Sequence, residues 1–224
     1  MQLPDHIRSF ASRQGRHSAA QKLALIALKP RHSLEYQQQE TDWRAHFSSP
    51  SAALVLEIGS GMGEATAQIA ASLQDKNFVA CEVYPAGVSA LLKRIEAAQL
   101  PNLKVLQHDA FEVVRDMIAE QSLDGIHVFF PDPWHKARHN KRRLIQPAFA
   151  HMLALRLRPG AYLHLATDWV PYAEHMMTVL RQEPLLRNRF PEYAPKPSYR
   201  TLSKFENRGV KLGHEVRDLI FERV

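Results

Sequence analysis

Leu54-Val55-Leu56-Glu57-Ile58-Gly59-Ser60-Gly61-Met62-Gly63 passes from an apolar run into three glycines at alternate positions. An apolar run of this length, bounded by glycine, reads as a strand buried on both faces. Residues 62–73 then carry helical spacing. A strand, a glycine turn and a helix in that order form a corner that binds anions or cofactors.

The same rhythm continues on both sides of this corner. Further strands are expected at 78–83, 103–107, 125–130 and 161–166, and a last one at 216–223. Helices are expected at 86–98, 111–119, 142–157 and 170–181, with Pro159-Gly160 stopping the third of these. Alternation of this kind predicts an α/β fold: a doubly wound, mostly parallel Rossmann-like sheet with helices on both faces. Residues 1–48 read as a basic N-terminal extension of little periodicity, partly flexible, ahead of one domain over 49–224. Prolines at 191, 195 and 197 mark an ordered loop before the last strand.

Bulk properties narrow the class. A chain of 224 residues buries enough surface to need no staples. The single cysteine, Cys81, cannot form an intramolecular disulfide and reads as a small buried hydrophobe. The start lacks a signal-peptide core, and no apolar run approaches the ~20 residues of a membrane helix, so a cytoplasmic protein is expected. The net charge of +6 favours a polyanionic partner.

The glycine corner discriminates between cofactors. A dinucleotide fingerprint places its third glycine at position 64, which here is Glu64, a poor neighbour for a pyrophosphate. The observed Gly59-x-Gly61-x-Gly63 follows an acid, Glu57. S-adenosylmethionine carries a sulfonium and an α-amino group but no phosphate, so a carboxylate suits it. Glu82, some twenty residues on, is placed for ribose hydroxyls. Asp109 is placed to accept from an adenine amino group. With Asp132, these acids fall at or near four strand ends, where open α/β sheets bind ligands.

A second informative run is Val128-Phe129-Phe130-Pro131-Asp132-Pro133-Trp134-His135-Lys136-Ala137-Arg138-His139-Asn140-Lys141-Arg142-Arg143. A carboxylate, an indole and a cationic segment follow a buried strand. The cations suit phosphate contact, and salt-sensitive RNA binding is expected from them. Trp134 reads equally as a base-stacking platform or as a wedge under the loop. His135 and His139 are four apart, but no glutamate or cysteine pair completes a metal pattern, so no metal is expected.

These motifs together resemble the bacterial tRNA (guanine-N7-)-methyltransferase family. The likeness continues at Ala166-Thr167-Asp168-Trp169, at Lys204-Phe205-Glu206-x-Arg208-Gly209 and at Leu212-Gly213-His214-Glu215-Val216. Arg8-Ser9-Phe10 and Arg13-Gln14-Gly15-Arg16 fit as well. The resemblance covers nearly the whole chain. It implies a class I methyltransferase fold and transfer of the S-adenosylmethionine methyl to guanine N7 at position 46 of the tRNA variable loop.

By resemblance, Glu57, Glu82, Asp109 and Asp132 take cofactor positions with Gly59, Gly61 and Gly63, and Asp132 is also the catalytic residue. Lys136, Asp168, Ser203, Lys204, Phe205 and Glu206 take substrate positions. Arg138, His139, Lys141, Arg142 and Arg143 take RNA-contact positions. The chain departs from the family's Arg-Pro-x-Thr-Lys-Phe-Glu at Thr201 and Ser203. Serine keeps the hydroxyl, while threonine in place of proline loosens the backbone.

The chemistry is compatible with these residues. Guanine N7 has a lone pair and no proton, so no base is needed there. Positive charge appears on the purine, and a carboxylate beside it favours the transition state. Asp168 either holds a guanine edge or caps the following helix. Rival readings are a methyltransferase of exocyclic amino groups, which prefers Asp-Pro-Pro-Tyr-like loops, and a non-catalytic RNA-binding protein with this fold. No obligate protein partner is evident, and a monomer or weak homodimer is expected.

Overall fold

The computed structural model describes residues 6–10, 18–200 and 215–224. The strand of the opening motif, β2 (Ala53–Ile58), is buried along almost its whole length and lies at the centre of the sheet. The other strands are β1 (Ser33–Leu34), β3 (Lys76–Cys81), β4 (Leu103–Leu106), β5 (Leu123–Phe129), β6 (Leu157–Thr167), β7 (Leu186–Asn188) and β8 (Arg217–Arg223). Their order is β1-β4-β3-β2-β5-β6-β8-β7. The first six run parallel, and β8 is antiparallel to both of its neighbours.

The alternating apolar positions divide the interior into two cores. On one face, Val55, Phe78 and Val105 meet α2 (Glu64–Ser72) and α3 (Pro85–Ala98). On the other, Leu56, Val79 and Val128 meet α4 (Ala110–Asp116), α5 (Pro147–Arg156) and α6 (Val170–Gln182). The expected doubly wound sheet is therefore present. Among the described residues no helix is long and apolar enough to cross a membrane.

Five elements differ from the sequence-based reading: the first helix, α5, β6 and the short strands β1 and β7. Residues 19–32, read as part of a lead-in without periodicity, form α1 (Ala19–His32), which starts at a capping box between Ser18 and Gln21. Ala24 is buried and Leu25 and Leu28 pack half-buried against the core, but Leu23 and Ile26 are exposed, so apolar residues run round the helix and blur the stripe that announces one. His32 and Arg31 pair with Glu96 and tie α1 to α3. Trp43 and Phe47 are buried in the core just ahead of β2.

The helix expected over 142–157 is shorter. Residues Ala137–Arg142 make a 3-10 turn, and α5 begins at Pro147, a residue suited to a first helical position. The last strand of the parallel set starts earlier than expected, at Leu157, and runs through Pro159-Gly160. The short edge strands β1 and β7 have too few residues to show a period.

Candidate active site

Strand order reverses about β2, with β3 on one side and β5 on the other, and a cleft opens beyond the carboxyl ends of these strands. Register sets the depth of each lining residue. Ile58 lies opposite both Cys81 and Val128, and Cys81 lies opposite Leu106. The chain segments that follow therefore surface side by side: Gly59 and Gly61, then Glu82 and Tyr84, then His108 and Asp109, then Phe130, Pro131 and Asp132.

Gly59 and Gly61 have φ of 82° and 55°, where side chains are strained. A Cβ built on either would point into open space. The bare backbone of this loop thus presents a cradle that only glycine leaves empty. Gly63 ends the loop as the cap of α2, packed so closely on Leu91 that a side chain would collide with it.

Glu82 organises the cradle. Its carboxylate accepts from the backbone N–H of Gly61 at 2.7 Å, Val83 at 2.8 Å and Tyr84 at 2.9 Å. Burial pushes its pKa up, and these three donors pull it back. Glu57 does not line the cleft. It is buried beneath the loop, where Oε1 accepts from the Thr66 hydroxyl at 2.9 Å. Its Oε2 has no hydrogen-bond partner among the described residues. Burial raises its pKa to about 7.

Asp109 does two things. Oδ1 accepts from Phe111 N–H and so caps α4, while Oδ2 lies 2.9 Å from His6 Nε2. The His6 ring stacks on Phe111 with centroids 4.1 Å apart. Ser9 and Phe10 line the cleft too. The Ser9 carbonyl accepts from the Trp134 indole at 2.8 Å, and the Phe10 carbonyl from Arg142 at 3.1 Å. The placement of residues 6–10 in the cleft has no signature in the sequence, since it rests on long-range contacts.

Asp132 borders two cavities. The first is the cleft just described; the second is walled by Tyr84, Asp132, Pro133, Trp134, His135, Lys136 and His139. Tyr84, in both linings, escapes sequence reasoning because nothing but its offset from Glu82 marks it. Trp134 is half-buried, with the Arg142 guanidinium 4.0 Å above its ring. Its indole is thus anchored on the loop and by the N-terminal segment rather than sunk in the core.

The expected cationic face is only partly formed. Lys136, Arg138 and Lys141 are exposed, and His139 and Arg142 are half-buried beside them. Arg143 is buried instead. Its Nε donates to the Pro133 carbonyl at 2.9 Å, and its guanidinium lies 4.9 Å over Tyr172, so it braces the loop from within. Asp168 is half-buried just past β6. The cap position of α6 is Trp169, with no side-chain cap bond, so capping does not account for Asp168. Its neighbour Trp169 meets His135, a wall of the second cavity, edge-on with ring centroids 4.4 Å apart, while Asp168 itself lines neither cavity. Ser203, Lys204, Phe205 and Glu206 lie outside the described residues.

The residues fit S-adenosylmethionine as methyl donor. Among the described residues, no side chain fills the cradle, the buried Glu57 oxygen and the Ser60 hydroxyl lack partners, and acids rather than lysines or arginines line the cleft.

Comparison with known proteins agrees. A family model described as "Putative methyltransferase" matches residues 51–219. A tRNA (guanine-N(7)-)-methyltransferase of Acidovorax sp. (strain JS42) is 56% identical over 220 residues, covering 98% of this chain and 87% of the relative. One from Polaromonas sp. (strain JS666 / ATCC BAA-500) is 55% identical over 225 residues, covering 99% and 91%. Among solved structures, a SAM-dependent methyltransferase from Aquifex aeolicus superposes with a TM-score of 0.54 at 14% identity, over 90% of this chain and 89% of that one. That likeness extends to the fold.

Proposed function

The chain belongs to the tRNA (guanine-N(7)-)-methyltransferase family, and on that premise we propose that it methylates guanine 46 of the tRNA variable loop in the cytoplasm. The observation that carries this reading is the position of Asp132, whose residue forms a common wall of the cofactor cleft and the aromatic, cationic cavity beside it. A base held in the second cavity and a donor held in the first meet at that wall.

S-adenosylmethionine supplies an electrophilic methyl group on its sulfonium. The Gly59–Gly63 backbone and Glu82 would form the bed for it, Asp109 would accept from the adenine amino group, and Glu57 would set the charge beneath the loop. Asp132 faces the purine and stabilises the positive charge that grows on it as N7 is alkylated. No residue has to remove a proton from N7. Lys136 and Asp168 hold the base, together with the segment Ser203–Glu206. Arg138, His139, Lys141 and Arg142 meet phosphates of the tRNA. Arg143 is assigned to the loop and not to RNA.

Incubation with unmodified tRNA and S-adenosylmethionine, followed by nucleoside mass spectrometry and mapping, tests the reaction. 7-Methylguanosine at position 46 is expected; another methylated nucleoside would overturn the assignment. Asp132→Ala is expected to lower the single-turnover rate by on the order of 10²–10³. Retention of more than about a tenth of the wild-type rate would remove Asp132 from the mechanism.

A further inference from the structure

Beneath the Asp132 loop lies a polar network that the reaction does not use directly. Arg200 and Asp218 are each 2% exposed, and His164 is fully buried. Arg200 Nη2 donates to Asp218 Oδ2 at 2.8 Å, and its Nε lies 2.6 Å from Oδ1. His164 Nε2 contacts the same Oδ1 at 2.7 Å, and its Nδ1 contacts the Tyr199 hydroxyl at 2.8 Å. A buried ion pair is weak evidence for stability, because desolvation offsets the attraction. Its presence calls for another reason.

The network touches Phe129 and Phe130, the two aromatic residues just ahead of Pro131 and Asp132. Phe129 is flanked by His127 and His164, each with its ring 4.9 Å away. The Arg200 guanidinium lies 5.8 Å over the Phe130 ring. Phe130 has φ of 51°, a left-handed conformation that a bulky residue adopts only under constraint. Its N–H donates to the Ala166 carbonyl at 2.8 Å, and Ala166 is the register partner of Asp218. The strained turn is therefore held at its backbone by β6 and at its ring by Arg200.

We propose that Arg200 is a positioning residue for Asp132: paired with Asp218, it holds Phe130 in the strained turn that aims the carboxylate between the two cavities. This rests on the assignment of Asp132 given above. Arg200 touches neither cavity, so it acts through the turn and not on substrate. Its planar face and paired donors are what lysine lacks.

The test is a double-mutant cycle with Arg200→Lys and Asp132→Asn in the full chain. Single-turnover methyl transfer to tRNA is the main readout, with cofactor affinity and thermal midpoint alongside. Arg200→Lys is expected to slow transfer about 10-fold or more, as misplaced catalytic groups do, with cofactor affinity nearly unchanged. In the Asp132→Asn background the same change is expected to have almost no further effect. Equal losses in both backgrounds would make Arg200 merely structural and overturn the proposal, as would a folded Arg200→Lys with wild-type rate.

If Arg200→Lys fails to fold, the pair Arg200→Gln with Asp218→Asn removes both charges together and is read against the same criteria. Asp132→Asn that modifies tRNA at the wild-type rate would instead refute the assignment of Asp132. That outcome is distinct from failure of the Arg200 proposal.

Discussion

At the scale of single residues, Glu57 carries a measurable consequence. Its pKa in the fold is about 7 against an ordinary 4.5, because burial disfavours the carboxylate more than the Thr66 hydroxyl relieves it. The folded form thus holds a proton that the unfolded form releases above pH 4.5. Stability from this group is complete below that value and is lost as pH rises through 7, by up to about 3 kcal/mol. Glu57→Gln, which keeps size and a hydrogen bond, is expected to raise the thermal midpoint of the cofactor-free protein at pH 8. It is expected to have little effect at pH 5. An equal change at both pH values would show that Glu57 does not titrate in this range.

At the scale of elements, the N-terminal segment occupies an oxygen that we propose for the cofactor. His6 occupies Asp109 Oδ2, the acceptor assigned to the adenine amino group, and its ring covers Phe111. Removing one such contact changes a net hydrogen-bond contribution of roughly 0.5–1.5 kcal/mol. His6→Ala is therefore expected to tighten cofactor binding by roughly twofold to tenfold, read by titration calorimetry. Weaker binding would mean that His6 supports the cofactor instead. The elements themselves differ in how plainly the sequence announced them. The strands β2 to β6 carry apolar runs cut by glycine, proline or charge, and their carboxyl ends fall close to expectation, although β6 begins earlier than expected. The helix α1 leaves most of its residues exposed, apolar ones included, and the sequence-based reading missed it, its capping box at Ser18 and Gln21 included.

At the scale of the whole molecule, the charge of +6 gathers local meaning where Lys136, Arg138 and Lys141 stand exposed beside the second cavity. Contacts with phosphates release counterions, so tRNA affinity is expected to fall by at least tenfold between about 50 and 200 mM salt. Replacing Arg138 and Lys141 by Gln is expected to flatten that dependence while leaving cofactor binding intact, as filter binding and calorimetry would report. An unchanged salt slope would place the RNA elsewhere on the surface.

The sequence by itself determined the layered α/β architecture, the glycine corner and the strand-end acids. All of these follow from local pattern: the period of burial, the conformational freedom of glycine and the offset of a charge from a strand. It could not separate residues of the same chemical type by environment. Glu57 and Glu82 look alike in the chain, yet one is enclosed under the loop and the other holds the loop by three backbone donors. Arg142 and Arg143 are neighbours, yet one lies over Trp134 on the rim and the other is turned into the core. Only the tertiary structure decided these cases, because burial and partner choice depend on which distant segments arrive at the same place. The convergence of Phe130, Ala166, Arg200 and Asp218 beneath one strained turn is a product of that arrival.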